Sequence, residues 1–86
     1  MKFSKLNAAF GRVLARLRKE RGWSQEYLGF ECELARNYIS MLERGERSPT
    51  LNTIFRLSKA LNVPVDEIVR QAVLDLEEIE GVSREV

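Results

Sequence analysis

The chain is punctuated for short helices. Apolar side chains recur at three- and four-residue spacing along most of its length, and residues that cap or stop helices divide the runs. Leu6, Phe10, Val13, Leu14 and Leu17 share one helical face, with Arg12, Arg16 and Lys19 on the other. Gly22 closes that run, because glycine accepts the left-handed conformation that follows a last helical turn. Ser24 then offers an oxygen to the free N–H groups of a second helix, SQEYLGFEC, and Glu26 sits near its positive end. A turn through CELA leads into a third helix that Gly45 ends. After the loop ERSP, Thr50 caps a fourth helix in which Leu51, Ile54, Phe55, Ser58 and Leu61 share a face. Asn62, Val63 and Pro64 break it. A fifth helix runs from Pro64 to about Glu80, Gly81 stops it, and the tail GVSREV is expected to fray. No run alternates as a strand would. Short helices joined by short connections predict an all-α fold: a compact five-helix orthogonal bundle with an extended C-terminal helix.

Length and composition narrow the functions open to such a bundle. With 86 residues, 44% of them hydrophobic, the chain makes one small domain with a real but modest core. There is no His, which removes imidazole metal sites and His-based acid–base catalysis. The single Cys, Cys32, excludes an intramolecular disulfide, suits a reducing compartment and reads as a small buried apolar residue. No glycine-rich phosphate loop and no cluster of metal ligands occurs, so no cofactor, no metal, no small-molecule ligand and no enzymatic activity is expected. Arg12 and Arg16 interrupt the basic start, and no apolar run approaches the ~20 residues of a membrane helix. The chain therefore reads as cytoplasmic, with no membrane partner. The formal net charge is +1, but it is unevenly placed: residues 1–47 hold ten Lys and Arg against six Asp and Glu, and residues 48–86 hold four against seven. A basic face for phosphates and an acidic far end fit that distribution.

The stretch LARNYISMLERGERSP, residues 34–49, concentrates the functional signal. Leu34, Ile39 and Leu42 form an apolar stripe that can pin a helix, while Arg36, Asn37, Ser40 and Met41 are left on the other side. The major groove of DNA is about 12 Å wide and admits one helix. Within it Arg can donate twice to guanine, Asn can pair with adenine, and Met or Ala35 can touch a thymine methyl.

From Leu17 to Ile68 the chain resembles the lambda-repressor-like, Cro-type helix-turn-helix family. The residues that carry the resemblance are Leu17-Arg18, Gly22, Ser24-Gln25-Glu26, Leu28, Ile39, Glu43-Arg44-Gly45, Pro49, Ala60-Leu61 and Val63. RNYIS followed by ERG looks like the small controller proteins of restriction–modification systems. The resemblance implies a DNA-binding domain over residues 1–70, with the helix-turn-helix at about 24–45. It places Ala35, Arg36, Asn37, Ser40 and Met41 against bases. It places Gln25, Tyr38, Arg44, Arg47, Ser48, Thr50 and Asn52 along the sugar–phosphate backbone, where contacts position without reading sequence. Gln25 either lies over a phosphate or decorates a first turn, and Tyr38 either reaches a phosphate or packs across the second helix. Arg18 and Glu43 match an internal ion pair and are assigned to structure. Three residues depart from the family pattern: Glu33 stands at the usual turn Gly, Gly29 at the usual Ala, and Ala35 at the usual Ser or Thr cap.

The fifth helix adds an assembly expectation. Val65, Val69, Ala72, Leu76 and Ile79 are spaced as a coiled-coil seam, widened by Ile68 and Val73. Residues 71–86 are therefore expected to form a dimerisation extension, with Ala72, Val73, Leu76 and Ile79 at a two-fold interface that mirrors a palindromic operator. The expected partners are double-stranded DNA, a second copy of the chain, and RNA polymerase through Glu26, Glu31 and Glu33. The expected function is a homodimeric, sequence-specific transcriptional regulator. A protein-interaction adaptor or antitoxin-like partner built on the same fold is the alternative.

Overall fold

In the computed structural model, residues 2–81 are described, with side chains from Lys5 onward. They form α1 (Lys2–Glu20), α2 (Gln25–Cys32), α3 (Arg36–Glu43), α4 (Leu51–Leu61) and α5 (Val65–Glu80), with no strand among the described residues. The tail beyond Gly81, expected to fray, lies outside them.

The expected punctuation is present. Ser24 Oγ accepts from the Tyr27 N–H at 3.0 Å and opens α2, and Thr50 Oγ1 accepts from the Thr53 N–H at 3.0 Å and opens α4. Gly22, Gly45 and Gly81 all have positive φ just past helix ends. Asn62 takes the left-handed conformation at φ 57° and closes α4.

The helices enclose one core of Phe10, Val13, Leu14, Leu17, Leu28, Ile39, Leu42, Leu57, Leu61 and Ile68, joined by Cys32 and Ala72. α5 packs most extensively on α1, and ion pairs lace the two together outside the core: Arg12 reaches Asp75 at 3.4 Å and Glu78 at 2.9 Å, and Arg16 reaches Asp75 at 3.2 Å. One expectation is corrected here. Ala72, expected at a two-fold interface, is a core residue of the bundle, 4% exposed. Leu76 and Ile79 are half-buried within the chain, beside the α1–α5 ion pairs, whereas Val73 is exposed. The expected boundary between residues 70 and 71 falls inside a continuous helix whose buried side belongs to the bundle.

Two glycines set how closely the helices approach α3. A Cβ on Gly11 would lie 2.5 Å from the Leu42 and Glu43 carbonyl oxygens, so α1 crosses the end of α3 backbone to backbone. A Cβ on Gly29 would lie 2.5 Å from the Leu34 carbonyl oxygen. An Ala at this position in α2 would force the Leu34 carbonyl, and the turn that carries it, to shift.

Candidate nucleic-acid interface

α2 and α3 are joined by a tight turn. Glu33 closes α2 in the left-handed conformation, φ 59° and ψ 42°, and its N–H turns back to the Gly29 and Phe30 carbonyls. A non-glycine residue there costs ~1–2 kcal/mol. Leu34 follows with an N–H bond to the Gly29 carbonyl at 2.8 Å, and its side chain packs on the core. Ala35 then starts α3 in an extended conformation with no side-chain cap. Glu33 and Ala35 lie in the turn and Gly29 packs against it from α2, so the three departures meet at one connection.

Helical geometry sorts the residues of α3 by direction. Ile39 and Leu42 are fully buried. Arg36 and Asn37 are exposed on the first turn, and Ser40 and Met41 are partly exposed on the same side one turn later. Ala35 is exposed just before them. The structure thus brings the five expected base-reading residues onto one outward surface. The Arg36 side chain has no hydrogen-bond or ion-pair partner among the described residues, and the same holds for Arg47. Tyr38 stands at the edge of this surface, half-buried and packed against the core.

Behind α3 lies the pair assigned to structure. Arg18 Nε donates to Glu43 Oε2 at 2.6 Å and Nη2 donates to Oε1 at 2.9 Å, a two-pronged contact with side-chain exposures of 11% and 7%. Arg18 Nη1 also donates to the Trp23 carbonyl at 2.8 Å. Its hydrogen bonds to Glu43 hold the guanidinium pKa above the ordinary arginine value, against the opposing effect of burial. The pair ties α1 to the end of α3 and to the residue before the α2 cap.

Among the expected backbone contacts, several side chains already have partners. Gln25 Nε2 donates to Glu43 Oε1 at 2.9 Å. Thr50 caps α4 and donates its hydroxyl to Thr53 Oγ1 at 3.0 Å, so its oxygen serves the helix. Arg44 donates from Nε to Glu46 Oε2 at 2.8 Å and from Nη2 to Oε1 at 3.1 Å, and it also bonds the Ser40 hydroxyl. Arg47, Ser48 and Asn52 are exposed along the loop and first turn of α4. The engagement of Gln25 by Glu43 and of Arg44 by Glu46 was not read from sequence. The second had a signal in the Arg-x-Glu spacing; the first had none, because it depends on how α2 meets α3.

Comparison with known proteins identifies the fold. A helix-turn-helix family model matches residues 14–68. The chain belongs to the helix-turn-helix family. Control protein C.BamHI of Bacillus amyloliquefaciens is 43% identical over 61 residues, covering 70% of this chain and 75% of that protein. The restriction-modification controller C.AhdI of Aeromonas hydrophila matches with a TM-score of 0.71 and 39% identity, over 72% of this chain and 94% of the other. The controller C.Esp1396I, solved as a tetramer with its natural 35-base-pair operator, matches with a TM-score of 0.74 and 28% identity, over 83% and 93%. The resemblance to restriction–modification controllers holds. Among the described residues, no helix is long and apolar enough to cross a membrane, and no three or more His, Cys, Asp or Glu residues are grouped as metal ligands would be.

Proposed function

We infer that the chain is a sequence-specific DNA-binding transcriptional regulator of the controller type, acting as a homodimer on an operator with two-fold symmetry. The observation that carries this reading is α3: pinned by Ile39 and Leu42, and presenting Arg36, Asn37, Ser40 and Met41 together on its outward side. Arg36 and Asn37 lie on the first turn, where a docked recognition helix comes closest to base edges. Gln25, Arg47, Ser48 and Asn52 flank it at the start of α2 and around the start of α4, and they suit phosphate contacts. Tyr38, Arg44 and Thr50 join them with smaller roles, since packing, Glu46 and the α4 cap already engage them. Selecting bound sequences from a random duplex library tests this. One enriched, two-fold symmetric motif with a steep loss of affinity as salt rises is expected. An unselected library, or an affinity indifferent to salt, contradicts DNA reading and favours a protein-interaction adaptor.

For the second copy we propose a place that keeps Val73 from the sequence expectation but moves away from Leu76 and Ile79. Leu6, Phe10, Pro49, Ile54, Val69 and Val73 line a groove of about 180 Å³ between α1, α4 and α5. Val69 and Val73 are 42% and 41% exposed at its edge. Exposed apolar residues beside a groove are what a two-fold interface would cover. Val73→Asp should therefore yield a folded monomer by sedimentation, while Ile79→Ala should leave the dimer intact. The reverse pattern would return the interface to the end of α5. RNA polymerase is assigned the exposed side of α2, where Glu26, Glu31 and Glu33 accompany Tyr27 and the 76%-exposed Phe30.

A further inference from the structure

The geometry points to Glu43 as a positioning residue for DNA binding: one carboxylate holds Arg18 in the bundle and also orients the Gln25 amide, leaving a single side-chain N–H for a backbone phosphate. This rests on the reading of Gln25 as a backbone contact. Glu43 Oε1 accepts from both Arg18 Nη2 and Gln25 Nε2, each at 2.9 Å, while Oε2 accepts from Arg18 Nε at 2.6 Å. A carboxylate only accepts, so the amide nitrogen of Gln25, and not its oxygen, must face Glu43. One of the two Nε2 hydrogens is thereby engaged. Phosphate oxygens also only accept, so the second hydrogen is the part of the side chain that can bind one. An unheld glutamine samples several rotamers and both amide orientations, and the orientation that turns its oxygen to a phosphate repels it. Holding the amide by nitrogen removes that orientation before DNA arrives. Because Glu43 is the last residue of α3 and Gln25 the first of α2, the same contact keeps the phosphate-binding end of one helix in register with the base-reading surface of the other.

A double-mutant cycle separates positioning from simple support of the fold. The variants are Gln25→Ala, Glu43→Gln and both together, with Asn52→Ala made in each Glu43 background as a reference contact. The carboxamide of Glu43→Gln sets an NH2 against an Arg18 N–H in either orientation and offers Gln25 at most an uncharged oxygen, so it cannot hold both as the carboxylate does. Operator affinity is titrated at a temperature where circular dichroism shows each variant folded. With Glu43 present, Gln25→Ala should weaken binding by about 5–10-fold, as the net loss of one hydrogen bond would. With Glu43→Gln the same substitution should cost less than about 2-fold, while the Asn52→Ala loss stays unchanged. Equal Gln25→Ala losses in both backgrounds overturn the positioning role. So does a shrinkage of the Gln25 and Asn52 losses together, which marks general loosening. If Gln25→Ala costs nothing even with Glu43 present, the phosphate reading of Gln25 itself fails, a distinct result. Should Glu43→Gln not fold, the Gln25 side-chain amide in the unaltered protein decides by NMR. One Nε2 proton protected from exchange in the free protein and the other shifted by operator DNA are expected, and two protons that both exchange as fast as those of an exposed glutamine overturn the proposal.

Discussion

Two arginine–glutamate pairs flank the end of α3 with closely similar hydrogen bonds in opposite surroundings. Arg18 and Glu43 meet at 2.6 and 2.9 Å with side chains 11% and 7% exposed; Arg44 and Glu46 meet at 2.8 and 3.1 Å with side chains 55% and 52% exposed. Both are two-pronged contacts between a guanidinium and a carboxylate. Burial separates their roles. Water competes little for the first pair, so each charge depends on the other and the pair fixes where α3 sits. Water and salt screen the second, which contributes little to stability and can exchange partners. A phosphate is a carboxylate's natural competitor for an exposed guanidinium. On the proposed reading of Arg44 as a backbone contact, Glu46 holds in the free protein the place a DNA phosphate would take.

The largest effect expected from this contrast is on the buried side. Arg18→Ala leaves the Glu43 charge without its partner and should destabilise the fold by ~3–5 kcal/mol, read as a lower midpoint in thermal or urea unfolding. Loss of DNA binding should follow loss of folding. An Arg18→Ala protein that melts like the unaltered chain but no longer binds DNA would make Arg18 a contact residue and erase the distinction between the pairs.

On the exposed side the effect should be smaller and of opposite sign. Glu46→Gln frees Arg44 and removes a negative charge from the loop that would run along the DNA backbone. Its melting should be unchanged, its operator affinity a few-fold higher at low salt, and its salt dependence slightly steeper, since one more cation becomes available to displace counterions. Unchanged affinity would show that Arg44 does not meet a phosphate. A clear drop in melting temperature would show that the exposed pair is structural after all.

The same contrast marks what the sequence can disclose. The Arg18–Glu43 pair was assigned through a family resemblance, and the helix ends through local chemistry: Ser24 and Thr50 cap, and Gly22, Gly45 and Gly81 turn, because each acts on its own neighbours. The exposed surface of α3 followed from the spacing of Ile39 and Leu42. Contacts that depend on how helices meet were not legible. Ala72 has the spacing of a seam residue, and spacing records that a face is covered without recording by what; α1, which begins as early as Lys2, packs along that face. The groove edged by Val69 and Val73 needs three helices in place before it exists. Gly11 reads as a weak point inside α1 until the Leu42 and Glu43 carbonyls are seen against it. Glu33 stands where a glycine would turn most easily, and the turn adopts the left-handed conformation nonetheless, which places the cost on the connection that orients α3.

The central claim is that the outward surface of α3 reads bases, and Arg36 tests it most directly. Arg36 is exposed, lies outside the core and has no side-chain partner among the described residues, so Arg36→Ala should leave folding unchanged. The measurement is a titration of this folded variant and the unaltered chain against the selected operator and each single-base variant of a half-site. The expected result is a loss of ~1–3 kcal/mol on the operator, with base preference relaxed at one position per half-site and retained elsewhere. A folded Arg36→Ala protein that keeps the full base preference at every position would contradict it.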